Sequence, residues 1–464
     1  MMGAEANKLL LAFYGDDFTG STDALEFLAN AGIRSVLFIS PPSQETLNQY
    51  PDIQAFGVAG LSRSLGPEEM EQELGIAFSA LKASGASHIH YKVCSTFDSS
   101  PTIGSIGKAI EIAKGIFEPD FISLLVAAPA LGRYCAFGNL FARMGIGSEG
   151  PIYRLDRHPS MSKHPTTPAD EGDMRIHLSK QTNLKIGLVD LLKIEQGKIG
   201  EQLSTEQNSG SKIILFDAVN QNHITKIGRF LAEKGQSQQH FSVGSSGIEM
   251  ALASAWGSKK QCWPVPGDAG PLLVLSGSCS PVTAGQIRMA LQNDFEEIAI
   301  DTAAIAKQQD SFAVDHNLEK ALEILNAGKS LVIHTAIGYD DLRVSETKKT
   351  FMNQGFSEVE ISRLTAKRYG SMMGLLARKI LSNVKVKRIL VAGGDTSSWI
   401  ARELGIQAVE MIAELTPGAP LCKVNAPDSP AHGIEINFKG GQVGTEDYFI
   451  KVQKGNMAGD INSM

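Results

Sequence analysis

Leu9-Leu10-Leu11-Ala12-Phe13-Tyr14 runs directly into Gly15-Asp16-Asp17-Phe18-Thr19-Gly20-Ser21-Thr22-Asp23, and a helical pattern from Ala24 to Ala31 follows. The apolar run has strand length, the glycines permit a tight turn, and the hydroxyls and acids stand where a helix begins. Strand, polar turn and helix in that order open a βαβ unit, and open α/β sheets bind ligands where their strands end. Helix capping accounts for one acid and one hydroxyl. Two adjacent carboxylates repel one another, so Asp16, Asp17 and Asp23 read as acceptors for substrate hydroxyls or as water-mediated holders of Mg2+.

The same rhythm continues through Val36–Ile39, Ala55–Ala59, Ile89–Val93, Phe121–Ala127, Ile186–Val189, Ile213–Phe216 and Phe241–Val243. Ser254 to Gly270, rich in Gly, Pro, Trp and Lys, interrupts it. A second series then runs through Leu272–Leu275, Ile298–Ile300, Leu331–Ile333, Ile389–Val391 and Glu435–Phe438. The pattern predicts an α/β protein of two lobes, each a mainly parallel or mixed sheet flanked by helices. The expected division is an N-terminal domain over 1–255, a linker over 256–270 and a C-terminal domain over 271–464, which agrees with a length of 464 residues. Ser148 to Pro168, carrying Asp156, Arg157, His158, Lys163 and His164 among prolines, reads as a loop.

Composition narrows the class. The net charge of −7 comes from interspersed acids and bases, which argues against a nucleic-acid tract or a polybasic membrane anchor, so an anionic substrate has to be met by local cations. Cys94, Cys135, Cys262, Cys279 and Cys422 lack the short spacing of a zinc site or a disulfide framework and read as reduced thiols. The apolar run at the N-terminus is too brief for a signal peptide, and no segment approaches the roughly 18 apolar residues of a membrane span. A soluble, cytoplasmic chain is expected.

Four further segments carry chemistry. Lys92-Val93-Cys94-Ser95-Thr96-Phe97-Asp98-Ser99-Ser100 follows a strand, and its lysine can hold a carboxylate; Arg133, after Ala127–Ala130, can clamp one bidentately. A Ser/Thr turn with solvated cations is an equally good reading of these two stretches taken alone. Ser276-Gly277-Ser278-Cys279-Ser280 before the helical stretch Ala284–Leu291 offers hydroxyls and backbone N–H groups to a phosphate, with plain helix capping as its rival. Gly393-Gly394-Asp395-Thr396-Ser397-Ser398, between a buried strand and the helix Trp399–Leu404, is the most nucleotide-like element. Glu414 to Pro420 reads as a rigid turn. Ala327-Gly328-Lys329-Ser330 is not a P-loop: Glu323 stands where glycine is required, and helix precedes strand. His88 and His90, on a strand without a third ligand, read as structural histidines.

In combination and order, Gly15–Gly20, Ser276–Ser280, Gly393–Ser397 and Pro417-Gly418-Ala419-Pro420 resemble the four-carbon acid sugar kinase family across nearly the whole chain. The resemblance implies an N-terminal lobe that binds the sugar acid and a C-terminal lobe that binds ATP, with threonate, erythronate, 3-oxo-tetronates or branched 3-oxo-isoapionate as acceptors. It would set Asp16, Asp17, Ser95, Thr96 and Arg133 at the acid, and Lys92, read from the residues alone, would join Arg133 in orienting the carboxylate. It would set Ser276, Ser278, Gly393, Gly394, Asp395, Thr396 and Gly418 at ATP. Many members have Lys-x-Asp-Ser-Thr-x-Arg-Gly-Asn where this chain has Cys94 at the Asp place, Asp98 at the Arg place and Ser99-Ser100 for Gly-Asn, which implies a substrate other than plain threonate.

Phosphoryl transfer needs alignment, charge neutralisation and an acceptor for the hydroxyl proton; Asp17 and Asp395 are the two candidates for that acceptor. The expected ligands are ATP, Mg2+ and a small sugar acid, with no nucleic acid or membrane partner and with a homodimer left open. An NAD-linked dehydrogenase lacks its GxGxxG with a downstream acid, and a non-catalytic binding protein is the remaining rival.

Overall fold

The structure is a computed structural model that describes residues 9–144, 149–164, 166–257, 260–307 and 310–456. The chain divides into two compact units between Gln261 and Cys262.

The N-terminal unit carries β1 (Leu11–Gly15), β2 (Ser35–Phe38), β3 (Ala55–Ala59), β4 (His88–Lys92), β5 (Ile122–Leu125), β6 (Arg133–Ala136), β7 (Asn139–Arg143), β8 (Ile152–Arg154), β9 (Ile186–Val189), β10 (Ile213–Phe216) and β11 (His240–Gly244). Eight of these form a sheet in the order β2-β3-β1-β4-β11-β5-β10-β9. Every pairing within it is parallel. Its central strands are buried along their whole length, as expected when helices cover both faces and the sequence reads as near-continuous apolar runs.

The order contains a reversal. From β1 the chain crosses β3 to reach β2, while from the adjacent β3 it crosses β1 to reach β4. Right-handed crossovers running in opposite directions lie on opposite faces, so the connections leaving β1 and β3 part and leave a crevice at the strand ends.

In the C-terminal unit, β12 (Leu272–Ser276), β13 (Phe295–Ala299), β14 (Ser330–His334), β15 (Arg388–Ala392), β16 (Ala408–Thr416), β17 (Ala419–Asn425) and β18 (Glu435–Lys439) take the order β13-β14-β12-β15-β18-β17-β16. Strands β13 to β18 of that order are parallel, and β17 runs antiparallel to both its neighbours. The first four repeat the β2-β3-β1-β4 arrangement, reversal included. Leu272, Val274, Ile287, Val332, Leu390 and Phe449 pack together in the core. Arg388, wholly buried, pairs with Glu435 and also donates to the carbonyls of Gly267 and Val452.

Three differences from the sequence reading have physical causes. The stretch Ser148–Pro168 is not all loop, because β8 lies in it and pairs with β7 to complete the small antiparallel sheet β6-β7-β8. Within Glu414–Pro420 only Pro417-Gly418 forms the turn, and the flanking residues are the paired ends of β16 and β17. The helices begin at Phe18, Pro281 and Gly394, earlier than the apolar periodicity suggests. Asp17 caps the first by accepting from Gly20 N, and Ser280 caps the second by accepting from Val282 N. Thr19 to Thr22 and Thr396 to Ser398 therefore lie in first helical turns, whose leading N–H groups have no partner within the helix, while Ser276 to Ser280 is the loop that leads into the second helix. Among the described residues, no helix is long and apolar enough to cross a membrane.

Candidate functional site

Asp16 and Asp17 leave β1, and Arg63 leaves β3, so the three meet at the crevice. Arg63 Nε and Nη2 donate to the two oxygens of Asp16 at 3.1 and 2.7 Å, while Nη1 and Nη2 donate to those of Asp17, both at 2.9 Å. Burial is the largest influence on both acids. It outweighs Arg63 at Asp16 and holds that carboxyl above its ordinary range. At Asp17 it is overcome by Arg63, by Lys92 and by hydrogen bonds from Thr19 and Gly20, so that carboxyl lies below its ordinary range.

Lys92 ends β4 beside this pair. Its ammonium is buried, donates to Val93 O at 3.1 Å and acts on Asp16, Asp17, Asp23 and Glu249. Ser246, just past β11, donates to Asp23. Beneath them lie Glu249 and His90, 3.6 Å apart and wholly buried. Burial pushes Glu249 up to about 8 and His90 down to about 3, so both are neutral near pH 7 and the contact is not an ion pair.

The Lys92–Ser100 loop forms the next part of the surround. Thr96 Oγ1 lies 2.9 Å from Cys94 Sγ, and burial, reinforced by Asp98, pushes that thiol up to about 11. Cys94 lies within the electrostatic reach of both Arg63 and Arg133. Phe97, buried, holds φ at +58°, a conformation that costs a bulky side chain of order 1 kcal/mol or more and persists only where the surroundings fix it. Ser95 is half-buried on the same loop. Arg133 is not the free clamp that the sequence suggested: it opens β6, and its Nη1 already donates to the carbonyls of Leu131, Gly132 and Arg143, while Nε is buried without a partner.

In the C-terminal unit three turns converge at the ends of β12, β15 and β18. Gly277 N donates to Ala392 O and Gly393 N to Lys439 O, both at 3.0 Å, tying the turns edge to edge. Gly393 has φ +142°, and a Cβ there would fall 2.5 Å from Thr396 Oγ1. A Cβ on Gly441 would fall 2.8 Å from Ser278 Oγ, so side chains are excluded where the third turn meets the first. The hydroxyls of Ser276, Thr396 and Ser398 are buried and have no hydrogen-bond partner among the described residues. Asp395 is exposed in the first turn of the helix Gly394–Glu403. Gly418 is at the β16–β17 tip, which the antiparallel register brings to the same end of the sheet.

The structure brings Asp16, Asp17 and Lys92 together at one set of strand ends and the three C-terminal turns together at another, and it places beside them Arg63, Glu249 and Lys439, which the sequence reading did not single out. Arg63 had a usable signal, since Gly60-Leu61-Ser62-Arg63 follows a fully apolar strand. Glu249 and Lys439 had none, because a single charged residue beside an apolar run reads as a solvated one.

Two family models match the chain, one described as a sugar-binding N-terminal domain over residues 11–252 and one as a nucleotide-binding C-terminal domain over residues 273–449. A Paraburkholderia graminis protein named 3-oxo-isoapionate kinase is 38% identical over 458 residues, covering 97% of this chain and 95% of its own. A Cupriavidus necator protein named 3-oxo-tetronate kinase is 27% identical over 461 residues, covering 96% of this chain and 97% of its own. Among solved structures, a Salmonella typhimurium LT2 chain shares the fold with a TM-score of 0.74 at 24% identity, over 96% of this chain and 99% of that one. A Haemophilus influenzae chain does so with a TM-score of 0.68 at 23% identity, over 95% and 99%.

Proposed function

The chain belongs to the four-carbon acid sugar kinase family, and from that premise we propose that it transfers the γ-phosphate of ATP to a hydroxyl of a small sugar acid. A branched 3-oxo acid of the 3-oxo-isoapionate type is the acceptor we favour, because the relative named for it is 38% identical whereas a relative named for 3-oxo-tetronate is 27% identical.

The observation that carries the kinase reading is the set of unpartnered buried hydroxyls on Ser276, Thr396 and Ser398, at turns whose glycines let the main chain approach a ligand. A buried hydroxyl without a partner costs about 1 to 3 kcal/mol, and an anion with several acceptor oxygens would recover it. Ser276, Ser278 and Gly393 to Thr396 are therefore proposed to cradle the phosphates, with Gly418 at the rim. Mg2+ accompanying ATP would be held chiefly by phosphate oxygens and water, and it would neutralise charge there.

In the N-terminal unit Arg63, Lys92 and Arg133 supply the positive charge that a sugar carboxylate requires, and Asp16, Ser95 and Thr96 are proposed to hold its hydroxyls. Asp17 already accepts from Gly20, Thr19 and Arg63, which suits a carboxylate that fixes those groups better than one that takes up a proton. Asp395 is accordingly proposed as the group that receives the hydroxyl proton.

Coupled ADP release should be measured with 3-oxo-isoapionate, 3-oxo-tetronates, threonate and erythronate. We expect the highest kcat/KM for the branched acid. A tenfold preference for a 3-oxo-tetronate would overturn that choice of substrate, and no ADP release with any of the acids would overturn the kinase reading.

A further inference from the structure

Lys439 stands at the C-terminal end of β18, in register with Ala392 at the end of β15, and its carbonyl accepts from Gly393 N. Its side chain is wholly buried. Lysine is almost never fully buried unless it is paired, yet among the described residues no carboxylate pairs with this ammonium, whose one hydrogen bond goes to Thr283 Oγ1 at 3.0 Å. Thr283 lies in the first turn of the helix Pro281–Leu291 and in turn donates to Gly441 O at 2.9 Å, while Gly441 packs against Ser278 and Ser280. The ammonium is thus held by Thr283, which ties it to the converging turns, and among the described residues no negative charge balances it.

We propose that Lys439 is the resident cation for the phosphate tail of the nucleotide in the C-terminal unit. This inference rests on the nucleotide reading given above and adds to it the group that balances the ligand's charge. An ammonium kept out of water attracts an anion far more strongly than an exposed one, and removal of the charge removes an attraction that the uncharged nucleoside half of the ligand does not share. Burial also holds the ammonium down to about 7, so an arriving phosphate would draw a proton onto it. Thr283, which it touches, is uncharged, as are its strand neighbour Ala392 and Gly441, to which Thr283 donates. None of the charged side chains on the elements packed around it shifts its titration, burial being the one influence: Arg288 on the helix, Arg388 on β15, Lys423 on β17, Glu435 on β18, Asp395 after β15, and Glu446 and Asp447 after β18.

Calorimetric titration of the full chain with ADP and with adenosine tests the proposal in the wild type, Lys439→Met and Lys439→Arg. We expect Lys439→Met to lose at least tenfold in ADP affinity with less than a twofold change for adenosine, and Lys439→Arg to recover part of the loss. Unchanged ADP affinity in a folded Lys439→Met overturns the proposal. Should that variant not fold, the wild type decides. Titration with ADP at pH 8 in two buffers of different ionisation enthalpy should show net proton uptake, and none overturns the proposal. A wild type that binds no ADP overturns the nucleotide reading and this inference with it, whereas ADP binding that ignores Lys439 overturns this inference alone.

Discussion

Arg63 and Asp17 lie 46 residues apart in the chain and are joined by two N–H···O bonds of 2.9 Å each at the strand ends of the N-terminal unit. The sheet order brings them together, since their two strands are neighbours whose connections leave in opposite directions. The same arginine holds Asp16, so one cation balances two acids that would otherwise repel each other.

Arg63→Met is expected to destabilise the N-terminal unit by about 3 kcal/mol at pH 8. This is the low end for breaking a buried pair, because a quarter of the Arg63 side chain reaches solvent. Without the arginine, burial and mutual repulsion push both acids up, so the deficit should shrink as the pH falls towards 5 and one of them takes a proton. Urea unfolding at the two pH values checks this, and a deficit that does not depend on pH would contradict it.

Glu249 gives the opposite signature. In the folded chain it stays neutral up to about 8, whereas an ordinary glutamic acid ionises near 4.5. Its folded value is raised, so its contribution to stability is fully present below 4.5 and is lost as the pH climbs to 8. Glu249→Gln, neutral throughout, should gain on the wild type over that window by at most roughly 1.4 kcal/mol per pH unit. Parallel stability profiles for the two proteins between pH 5 and 8 would refute the assignment.

How much of this was legible in the sequence depended on the kind of signal. Asp16, Asp17 and the Ser276 and Gly393 turns stand directly after fully apolar runs, so period and punctuation exposed them. Arg63 also follows an apolar strand, but its pairing with Asp16 and Asp17 arises only from the sheet order. Ala408–Thr416 does alternate along its length, yet its Ala, Glu, Met and Leu are strong helix formers, and propensity masked the hairpin. In β13 the apolar signal is split by Glu296 and Glu297 at the sheet's edge, which moved the expected strand to Ile298–Ile300.

Asp395→Asn should lower kcat by roughly a hundredfold or more while changing the KM for ATP only a few-fold, the pattern of a group that acts on the proton in transit. Asp17→Asn should instead raise the KM for the acid, since it loosens Arg63 and Lys92. Steady-state kinetics on both variants distinguishes the roles, and normal turnover by a folded Asp395→Asn would remove Asp395 from its own.

In the C-terminal unit, Arg388→Met leaves Glu435 without its buried partner and frees the carbonyls of Gly267 and Val452. A loss of about 3 to 5 kcal/mol, confined to this unit, is expected. Denaturant unfolding read by domain-specific proteolysis checks it, and a change in the N-terminal unit would contradict it.

ATP labelled at the γ-position tests the transfer of phosphate to a sugar acid most directly. Incubated with the full chain and 3-oxo-isoapionate, the label should appear in a phosphate ester of the acid, one for each ADP formed. Label found only in inorganic phosphate, or left in ATP across the whole set of acids, would contradict it.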